Sequence, residues 1–278
     1  MTPLNSNIAL IANAKINTFL DITGKRADGY HLLETVMQSI DLADIVTIEL
    51  THDEEITVSS SDPTVPEDEG NICYKAAELF FALLGDRGSA DIFIDKRIPH
   101  GAGLGGGSAD AAAVLRGLNE LYGKPFDEAT MLKLGLKTGA DVPFCMVGGT
   151  KLCRGIGEEM TPEEPYPAKC FLIVKPDFEC DTKAAYADYD VTMVQRKERQ
   201  KNEFYNVFRM IYKNAEINSI VQELTELGAE GAELTGSGSA VFGAFRLEGE
   251  ASVAAKKFPK YFTAVCKPVS KGTLVISE

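Results

Sequence analysis

The sequence predicts an α+β fold, and three observations lead to that prediction. Strand-like alternation and helical periodicity are mixed along the 278 residues without a regular βαβ repeat. A glycine-rich stretch, residues 99–110, separates a strand-like run from an alanine-rich helical run. A second stretch, residues 148–167, is rich in Gly, Pro and Glu and predicts a division into two lobes, residues 1–155 and 156–278.

The first part of the chain is predicted to be mostly strands. The segment Asn7–Leu20 alternates polar and apolar residues as a strand does. Its polar face carries Asn13, Lys15 and Asn17, and the strand alone favours a solvated face because charged side chains mostly lie exposed. Turn signals in residues 21–30 predict that the chain folds back there. Further strands are predicted over residues 32–40, 45–50 and 56–60.

Helices and strands are mixed in the remainder of the chain. Asn71 is a suitable N-cap for a helix that continues through Leu84, with apolar residues at helical spacing. Residues 139–143 close the helix predicted over Asp127–Lys137, and Val142 is expected to be extended because it precedes proline. The other predicted helices cover residues 109–122, 204–214, 217–227 and 251–258, and the other strands cover residues 92–96, 169–176, 241–245, 262–266 and 273–277.

The strongest functional signal is a run of five glycines within the seven residues 101–107, after a strand and before a helix. Glycine permits positive φ and a close approach of ligand to backbone, so that consecutive N–H groups can turn toward an anion. The N-terminus of the following helix adds unpaired N–H groups and the positive end of its dipole. Ser108 is a suitable N-cap and can also reach a metal or a phosphate oxygen. The stretch is therefore predicted to bind a polyphosphate.

Other types of glycine-rich loop fit this stretch less well. A Walker A loop requires a lysine before Ser or Thr, whereas Ser108 follows Gly107. A Rossmann oxidoreductase requires an acidic residue at the end of a second strand, whereas another helix follows Glu120. A protein-kinase loop requires a following strand with Val-Ala-x-Lys, which is absent. A flexible linker is disfavoured because Leu104 interrupts the glycines and both flanks have regular patterns.

Composition and charge narrow the functional classes. The formal net charge of −13 argues against a nucleic-acid partner, which favours a basic surface, but not against a small anionic substrate. No apolar run approaches the roughly 20 residues of a membrane span, and the N-terminus does not resemble a secretory signal. The six cysteines form no Cys-x-x-Cys pair, so reduced thiols in a cytoplasmic protein are expected rather than a zinc site.

The motifs resemble those of the GHMP kinases, a superfamily of small-molecule kinases named for galactose, homoserine, mevalonate and phosphomevalonate. Residues 99–110 resemble its middle motif and residues 234–242 its third motif. Three further stretches are similar to one family within it, the 4-diphosphocytidyl-2-C-methyl-D-erythritol kinases: residues 14–17, 22–31 and 139–143. Among these, Arg-Ala-Asp-Gly-Tyr-His at residues 26–31 is the discriminating segment, because sugar, homoserine and mevalonate kinases have no reason to keep it.

The resemblance implies a two-lobed GHMP-kinase-like fold with ATP and substrate in the cleft between the lobes. It implies ATP-dependent phosphorylation of the 2-hydroxyl of 4-diphosphocytidyl-2-C-methyl-D-erythritol, in the non-mevalonate route to isoprenoid precursors. Asp141 would be the general base, and Lys15 beside it would favour the ionised carboxylate and face the γ-phosphate. Mg²⁺ would accompany ATP, with Ser108 as its protein contact. The ATP-binding residues implied are Pro99, His100, Gly101, Ala102, Gly103, Leu104, Gly105, Gly106, Gly107, Ser108 and Ala109.

The resemblance also implies contacts to a substrate with a cytidine diphosphate group. The ring of Tyr30 would stack on cytosine, His31 would hydrogen-bond its edge, and Tyr186 would lie on its opposite face. The other implied substrate contacts are Asn17, Thr182, Gly236 and Gly238. One alternative is another GHMP-type kinase, of the mevalonate or homoserine type, which the pair Tyr30-His31 disfavours. A second is a non-catalytic nucleotide-binding relative, which would be expected to lack Lys15 or Asp141.

Overall fold

The fold is known from a computed structural model that describes residues 2–53, 55–86, 88–192 and 194–277. The strands are β1 (Asn7–Lys25), β2 (His31–Leu50), β3 (Ile56–Ser60), β4 (Ala90–Asp95), β5 (Thr150–Gly155), β6 (Glu159–Pro162), β7 (Cys170–Lys175), β8 (Tyr205–Asn206), β9 (Gly231–Leu234), β10 (Val241–Phe245), β11 (Phe262–Cys266) and β12 (Thr273–Ser277). The helices are α1 (Ile72–Leu84), α2 (Gly106–Leu121), α3 (Glu128–Thr138), α4 (Val142–Val147), α5 (Thr182–Thr192), α6 (Val207–Tyr212), α7 (Ala215–Glu226) and α8 (Glu248–Ala255). The order of these elements confirms the predicted α+β class.

Two β-sheets organise the part of the chain that the structure describes. The larger sheet has the strand order β12-β1-β2-β4-β3; β5 pairs with β2 and β6, and β8 pairs with β1. The smaller sheet has the order β11-β7-β10-β9. The antiparallel pair of β1 and β2 runs from Asn7 opposite Glu49 to Lys25 opposite His31. Other strands pair along this long pair of strands, with β4 on residues 45–50 of β2 and β5 on residues 33–38.

The strand β1 contributes to three hydrophobic cores in succession. Its first part, with Ile8 and Leu10, packs in a core that includes residues of α1 and α2. Ile16 in its middle belongs to a core with residues from the smaller sheet, and Phe19 beyond it packs with residues of α6 and α7. The end of the chain returns to this strand, since β12 pairs with residues 9–12 of β1. The division at residue 155 stays a prediction.

Local signals predicted the start of one helix correctly and the starts of others wrongly. The Asn71 side chain accepts the N–H of Cys73 at 2.8 Å, which confirms it as the N-cap of α1. The helix predicted from residue 204 begins only at Val207, because Asn206 caps it and Tyr205 still pairs with β1. Val142 was expected to be extended, and this is wrong. It begins α4, and Pro143 fits the first helical turn because an N–H there needs no intrahelical partner.

Other differences concern elements with weak local signals. Residues 32–50 form one continuous strand, β2, rather than two. The stretch 148–167 was predicted to be a hinge but contains β5 and β6. The glycines and prolines on either side of these short strands are turn signals, and they dominated the sequence pattern. The helix α5 was not predicted. Among the described residues of α5, Ala185 alone is buried. The apolar stripe of this helix is therefore too narrow to be recognised in the sequence.

The structure shows the state and the burial of the cysteines. All six cysteines are free thiols and five of them are buried, as predicted for reduced cysteines. Burial raises the pKa of the Cys153 thiol to about 12, so it stays protonated near neutral pH.

Within the described ranges, no helix combines the length and the apolar character that a membrane crossing demands.

Candidate active site

The glycine loop, residues 99–105, lies between β4 and α2, and the remaining predicted ATP-binding residues, 106–109, form the first turn of α2. Gly101, Gly103 and Gly105 adopt φ angles of +61°, +74° and +73°, the left-handed region that favours glycine. Packing also requires glycine at residue 103, because a Cβ on Gly103 would lie only 2.2 Å from the carbonyl oxygen of Thr235. The loop conformation therefore requires glycine both for its backbone angles and for its close packing.

The loop ends directly at the N-terminus of α2. Gly105 is the N-cap and the helix begins at Gly106, so the prediction of Ser108 as the N-cap is wrong. Ser108 lies instead in the first helical turn. The positive φ at Gly105 favours glycine there over Ser or Thr, whose side chains could cap the helix. No side chain caps α2 among the described residues, so its first N–H groups point outward unpaired, as an anion site requires.

A second glycine loop, residues 234–240, faces the first. The N–H of Ala240 donates to the carbonyl oxygen of Ala102 at 3.1 Å. The hydroxyl of Thr235 donates to the carbonyl oxygen of Gly103 at 3.3 Å. The two loops are therefore held in contact by a main-chain bond and a side-chain hydroxyl, and both border the same space.

Lys15 lies in β1 between these loops and is buried, with 3% of its surface exposed. The solvated face favoured by the strand pattern is wrong, because the glycine loops cover this face of β1. Its ammonium donates to the Asn17 side-chain oxygen at 2.8 Å and to the carbonyl oxygen of Gly103 at 3.0 Å. With its backbone N–H also bonded to the carbonyl oxygen of Leu104 at 2.9 Å, Lys15 is fixed in position and orientation.

Asp141 immediately precedes α4 and faces Lys15. One of its carboxylate oxygens lies 3.5 Å from the lysine Nζ. Although it occupies the N-cap position, its side chain makes no capping hydrogen bond. The carboxylate is therefore not used to stabilise the helix, and its side chain is 32% exposed whereas that of Lys15 is only 4% exposed. It is paired with a cation on one side and open to a ligand on the other.

Asn17 joins the lysine to the second glycine loop. Its side-chain oxygen accepts from Lys15 and from the N–H of Gly236 at 3.0 Å. Its amide nitrogen donates to the hydroxyl of Thr35 at 2.8 Å. Asn17 is 2% exposed, so most of its hydrogen-bonding capacity is already used within the protein.

Two adjoining cavities open at this point. The inner cavity has a volume of about 240 Å³ and the outer cavity about 830 Å³, and Asp141 and Thr182 line both. The predicted residues that line the inner cavity are Lys15, Asn17, Gly101, Gly103, Gly105, Asp141, Thr182, Tyr186, Gly236 and Gly238. Those that line the outer cavity are Tyr30, His31, Ser108, Asp141, Thr182 and Tyr186.

The outer cavity ends in an aromatic rim. The rings of His31 and Tyr186 stack, with centroids 4.8 Å apart and an interplanar angle of 22°. Burial raises the pKa of the Tyr186 hydroxyl. Tyr30 is 59% exposed, with the guanidinium carbon of Arg26 5.9 Å from its ring centroid. Tyr30 thus presents a free ring, whereas Tyr186 already stacks on a protein ring.

Some predicted ATP-loop residues do not line either cavity with their side chains. Ala102, Leu104 and Ala109 are buried in hydrophobic cores, which leaves only their main chain to contact a ligand. His100 is exposed, and its Nδ1 lies 3.4 Å from a carboxylate oxygen of Glu179. The other predicted residues without a place in the lining are Pro99, Gly106 and Gly107.

Sequence reasoning missed two groups near the site. Asp190 lines the outer cavity, and its carboxylate accepts hydrogen bonds from Lys25 at 2.6 Å and from His31 at 2.8 Å. These bonds hold the pKa of Asp190 below its usual range. The helical spacing of Thr182, Tyr186 and Asp190, each four residues apart, was the available signal.

The second missed group is a buried cluster of Asp44, Lys96 and Asp110 beneath the glycine loop. Burial raises the pKa of Asp110 to about 8, against the opposing effect of the Lys96 ammonium. Asp44 and Lys96 lie 52 residues apart in the sequence, so no local pattern connects them.

Comparison with known proteins agrees with this geometry. Residues 71–149 match the GHMP kinases N terminal domain, and residues 198–264 match the GHMP kinases C terminal domain. The 4-diphosphocytidyl-2-C-methyl-D-erythritol kinase of Clostridium tetani is 40% identical over 271 residues, covering 91% of this chain and 96% of its own length. The enzyme of the same name from Caldicellulosiruptor saccharolyticus is 40% identical over 274 residues, covering 92% and 94%.

Solved structures show the same fold. A crystal structure of 4-(cytidine 5'-diphospho)-2C-methyl-D-erythritol kinase superposes with a TM-score of 0.78 at 28% identity, covering 94% of this chain and 99% of its own. Homoserine kinase from Cytophaga hutchinsonii superposes with a TM-score of 0.75 at 18% identity, covering 99% of each chain, and shows the fold alone. The chain therefore belongs to the GHMP kinases and, within them, to the 4-diphosphocytidyl-2-C-methyl-D-erythritol kinase family.

Proposed function

We propose that this protein transfers the γ-phosphate of ATP to the 2-hydroxyl of 4-diphosphocytidyl-2-C-methyl-D-erythritol. The products are the 2-phosphate and ADP, and the reaction belongs to isoprenoid precursor biosynthesis in the cytoplasm. The observation that carries the proposal is the pair of Lys15 and Asp141, 3.5 Å apart, where the inner and outer cavities join. Relatives of that name that are 40% identical to the chain support the choice of substrate.

Asp141 is the general base in the proposed mechanism. Its carboxylate is open to the cavity and makes no capping bond, so it is free to accept the proton of the substrate hydroxyl. Lys15 lies beside it, with its ammonium 3.5 Å from the carboxylate, and would hold both the carboxylate and the substrate hydroxyl. The hydroxyl oxygen then attacks the γ-phosphorus, the bond to the β-phosphate oxygen breaks, and the proton stays on Asp141.

Lys15 and the glycine loop stabilise the charge of the phosphates. Phosphoryl transfer requires mainly positioning and electrostatic stabilisation, since most of the negative charge is carried by the transferring group itself. The uncapped start of α2 supplies N–H groups, and Lys15 supplies a buried cation held by Asn17 and Gly103. Because these groups are already in place, little reorganisation accompanies the reaction.

Mg²⁺ fits this site as a cation carried mainly by the phosphates. Among the described residues, no group of three or more His, Cys, Asp or Glu side chains could hold a metal by itself. Mg²⁺ commonly binds one or two protein oxygens together with substrate phosphates and water. Ser108, in the first turn of α2 and on the wall of the outer cavity, is the residue we assign to it. When bound, the ion neutralises phosphate charge.

The aromatic rim is assigned to the cytidine end of the substrate. Tyr30 has an exposed ring that can stack on a pyrimidine, and His31 lies beside it on the cavity wall. Tyr186 lines the same cavity and stacks on the His31 ring, so it would support His31 rather than lie on the opposite face of the base. Thr182, Gly236 and Gly238 border the inner cavity, where the diphosphate and the methylerythritol hydroxyls would lie. Asn17 is assigned to the same region.

The test is ADP release with Mg-ATP and four acceptors: the cytidyl-methylerythritol compound, mevalonate, homoserine and galactose. Turnover with the cytidyl compound alone is the expected result. Turnover with another acceptor would keep the kinase assignment and refute the assignment of the rim. If no acceptor reacts while ATP still binds, the non-catalytic nucleotide-binding alternative is correct.

A further inference from the structure

A buried ionic cluster beneath the glycine loop has no role in the proposed chemistry. The Nζ of Lys96, the residue after β4, lies 2.5 Å from a carboxylate oxygen of Asp44 and 2.8 Å from one of Asp110. The three side chains are 6%, 0% and 3% exposed. We call this cluster the Lys96 bridge. Replacing buried ion pairs by apolar residues is often neutral or stabilising, so stability alone is a weak reason to keep them.

Asp44 attaches the bridge to the entry of the glycine loop. While one of its oxygens accepts from Lys96, the other accepts the backbone N–H groups of Arg97 at 2.5 Å and Ile98 at 2.8 Å. Asp44 belongs to β2, in the interior of the larger sheet. The backbone that leads into the loop is thereby fixed to the sheet.

Asp110 attaches the bridge to the exit of the loop. It lies in α2, one turn after Gly106, and it is 14 residues from Lys96 in the sequence. Among the described residues its second oxygen is buried without a hydrogen-bond partner, while the first accepts from Lys96. A Cβ on Gly106 would lie 3.2 Å from the Lys96 Nζ, so the ammonium packs directly against the start of the helix.

The bridge thus joins both ends of the segment that would surround the phosphates. The glycines between these ends adopt left-handed angles, and contacts to β1 and the second glycine loop hold the middle of the segment. The Asp44 carboxylate compensates the charge of Lys96 locally, since burial raises the pKa of Asp110 and favours its neutral form. The effect of Lys96 on a bound anion is therefore exerted through the shape of the loop rather than through direct attraction.

We propose that Lys96 and Asp110 are positioning residues for ATP, which hold the glycine loop so that its N–H groups and the start of α2 converge on the phosphates. The proposal depends on the proposed function only in taking ATP as the ligand of the loop. It predicts an effect confined to the nucleotide. The acceptor substrate, which lies toward Tyr30 and His31, would be bound as before.

The test compares Lys96→Met, Asp110→Asn and the control Arg97→Met. Arg97 is adjacent in sequence, but its side chain is 55% exposed and pairs with Asp95 on the surface. For each variant the Kd of ATP is measured by calorimetry, together with KM for both substrates and the unfolding temperature. We expect Lys96→Met to raise the Kd and KM of ATP about tenfold or more, because small misplacements of a binding loop are costly.

The remaining variants sharpen this expectation. Asp110→Asn retains an oxygen that can accept from Lys96, so its effect on ATP should be smaller than that of Lys96→Met. The control should match the wild type, and KM for the cytidyl substrate should change by less than about twofold in all variants. If Lys96→Met does not fold, the double variant Lys96→Met with Asp110→Leu leaves no unpaired carboxylate at residue 110 and tests the same prediction.

Two results would overturn the proposal. One is a lowered unfolding temperature with an unchanged Kd and KM for ATP, which would make the bridge merely structural. The other is an equal rise of both KM values. An inactive wild type would refute the proposed acceptor instead, and the Kd of ATP would still decide whether the bridge positions the loop.

Discussion

The centre of the site and its rim are built in opposite ways. At the centre, Lys15 is buried and bonded to Asn17 and to Gly103 of the first glycine loop, and Asn17 in turn is bonded to the second loop. At the rim, Tyr30 is 59% exposed, and the ion pairs of Asp190 lie at the surface. The comparison indicates that the groups assigned to chemistry are fixed in advance, whereas the groups assigned to recognition leave room for the ligand.

This difference has a physical reason. Electrostatic stabilisation of a transferring phosphate is strongest when donors are in place before the reaction and water is excluded. Stacking on a pyrimidine requires an exposed ring face, which a fully packed residue does not offer. A substitution at the centre should therefore change turnover, and one at the rim should change substrate affinity.

The largest effect is expected for Asp141→Asn, which removes the general base and retains the shape of the side chain. Turnover should fall by about 10²- to 10⁴-fold, the usual contribution of general acid–base catalysis. The Kd of ATP should be largely unchanged, and α4 should stay intact because the Asp141 side chain does not cap it. Steady-state kinetics with calorimetry measures both quantities, and near-normal turnover would show that Asp141 is not the base.

An intermediate effect is expected for Tyr30→Ala at the rim. Loss of a base–aromatic stack costs about 1–3 kcal/mol, so KM for the cytidyl substrate should rise by about 5- to 150-fold. KM for ATP should stay close to the wild-type value. The control Tyr30→Phe retains the ring and should retain the affinity. Equal changes in both KM values would contradict the assignment of Tyr30 to the substrate site. They would also weaken the inference that the rim serves recognition and the centre serves chemistry.

The smallest effect is expected for Asp190→Ala, which removes the partner of His31 and Lys25. Because Asp190 is exposed, solvent screens these ion pairs, and KM for the cytidyl substrate should rise only about two- to fivefold. Asp188→Ala, on an exposed position of the same helix, is the matched control. A loss of turnover without a change in KM would contradict the assignment of Asp190 to recognition.

Features set by neighbouring residues could be predicted from the sequence. The Asn71 cap and the glycine loop depend on local backbone geometry, and the structure contains both. The start of α4 was missed because a residue before proline usually has an extended backbone. Val142 is helical instead, since Pro143 lies in the first turn of α4, where proline is well tolerated.

Features set by distant residues could not be predicted in the same way. Whether the polar face of β1 is solvated depends on what covers it. The covering groups, the Gly103 carbonyl and the N–H of Gly236, are 88 and 219 residues away from their partners on β1. The stacking of His31 on Tyr186, likewise, required α5 to be placed against β2, and α5 has little apolar signal.

The pairing of β1 with β12 has a consequence for how the protein is made. Leu10 pairs with Val275 and Ala12 with Thr273, and the N–H of Asn13 donates to the carbonyl oxygen of Gly272 at 2.8 Å. During synthesis β1 emerges long before β12, its partner on this edge. Contacts between such distant residues form slowly, because a long loop must close first.

The edge of β1 that leads into Lys15 is therefore completed only once β12 has been translated. Until then the strand presents unpaired N–H and carbonyl groups, as any open sheet edge does. Nascent chains that stall before residue 272 should consequently carry an incomplete active-site strand, and we expect them to depend on chaperones more than the finished enzyme does.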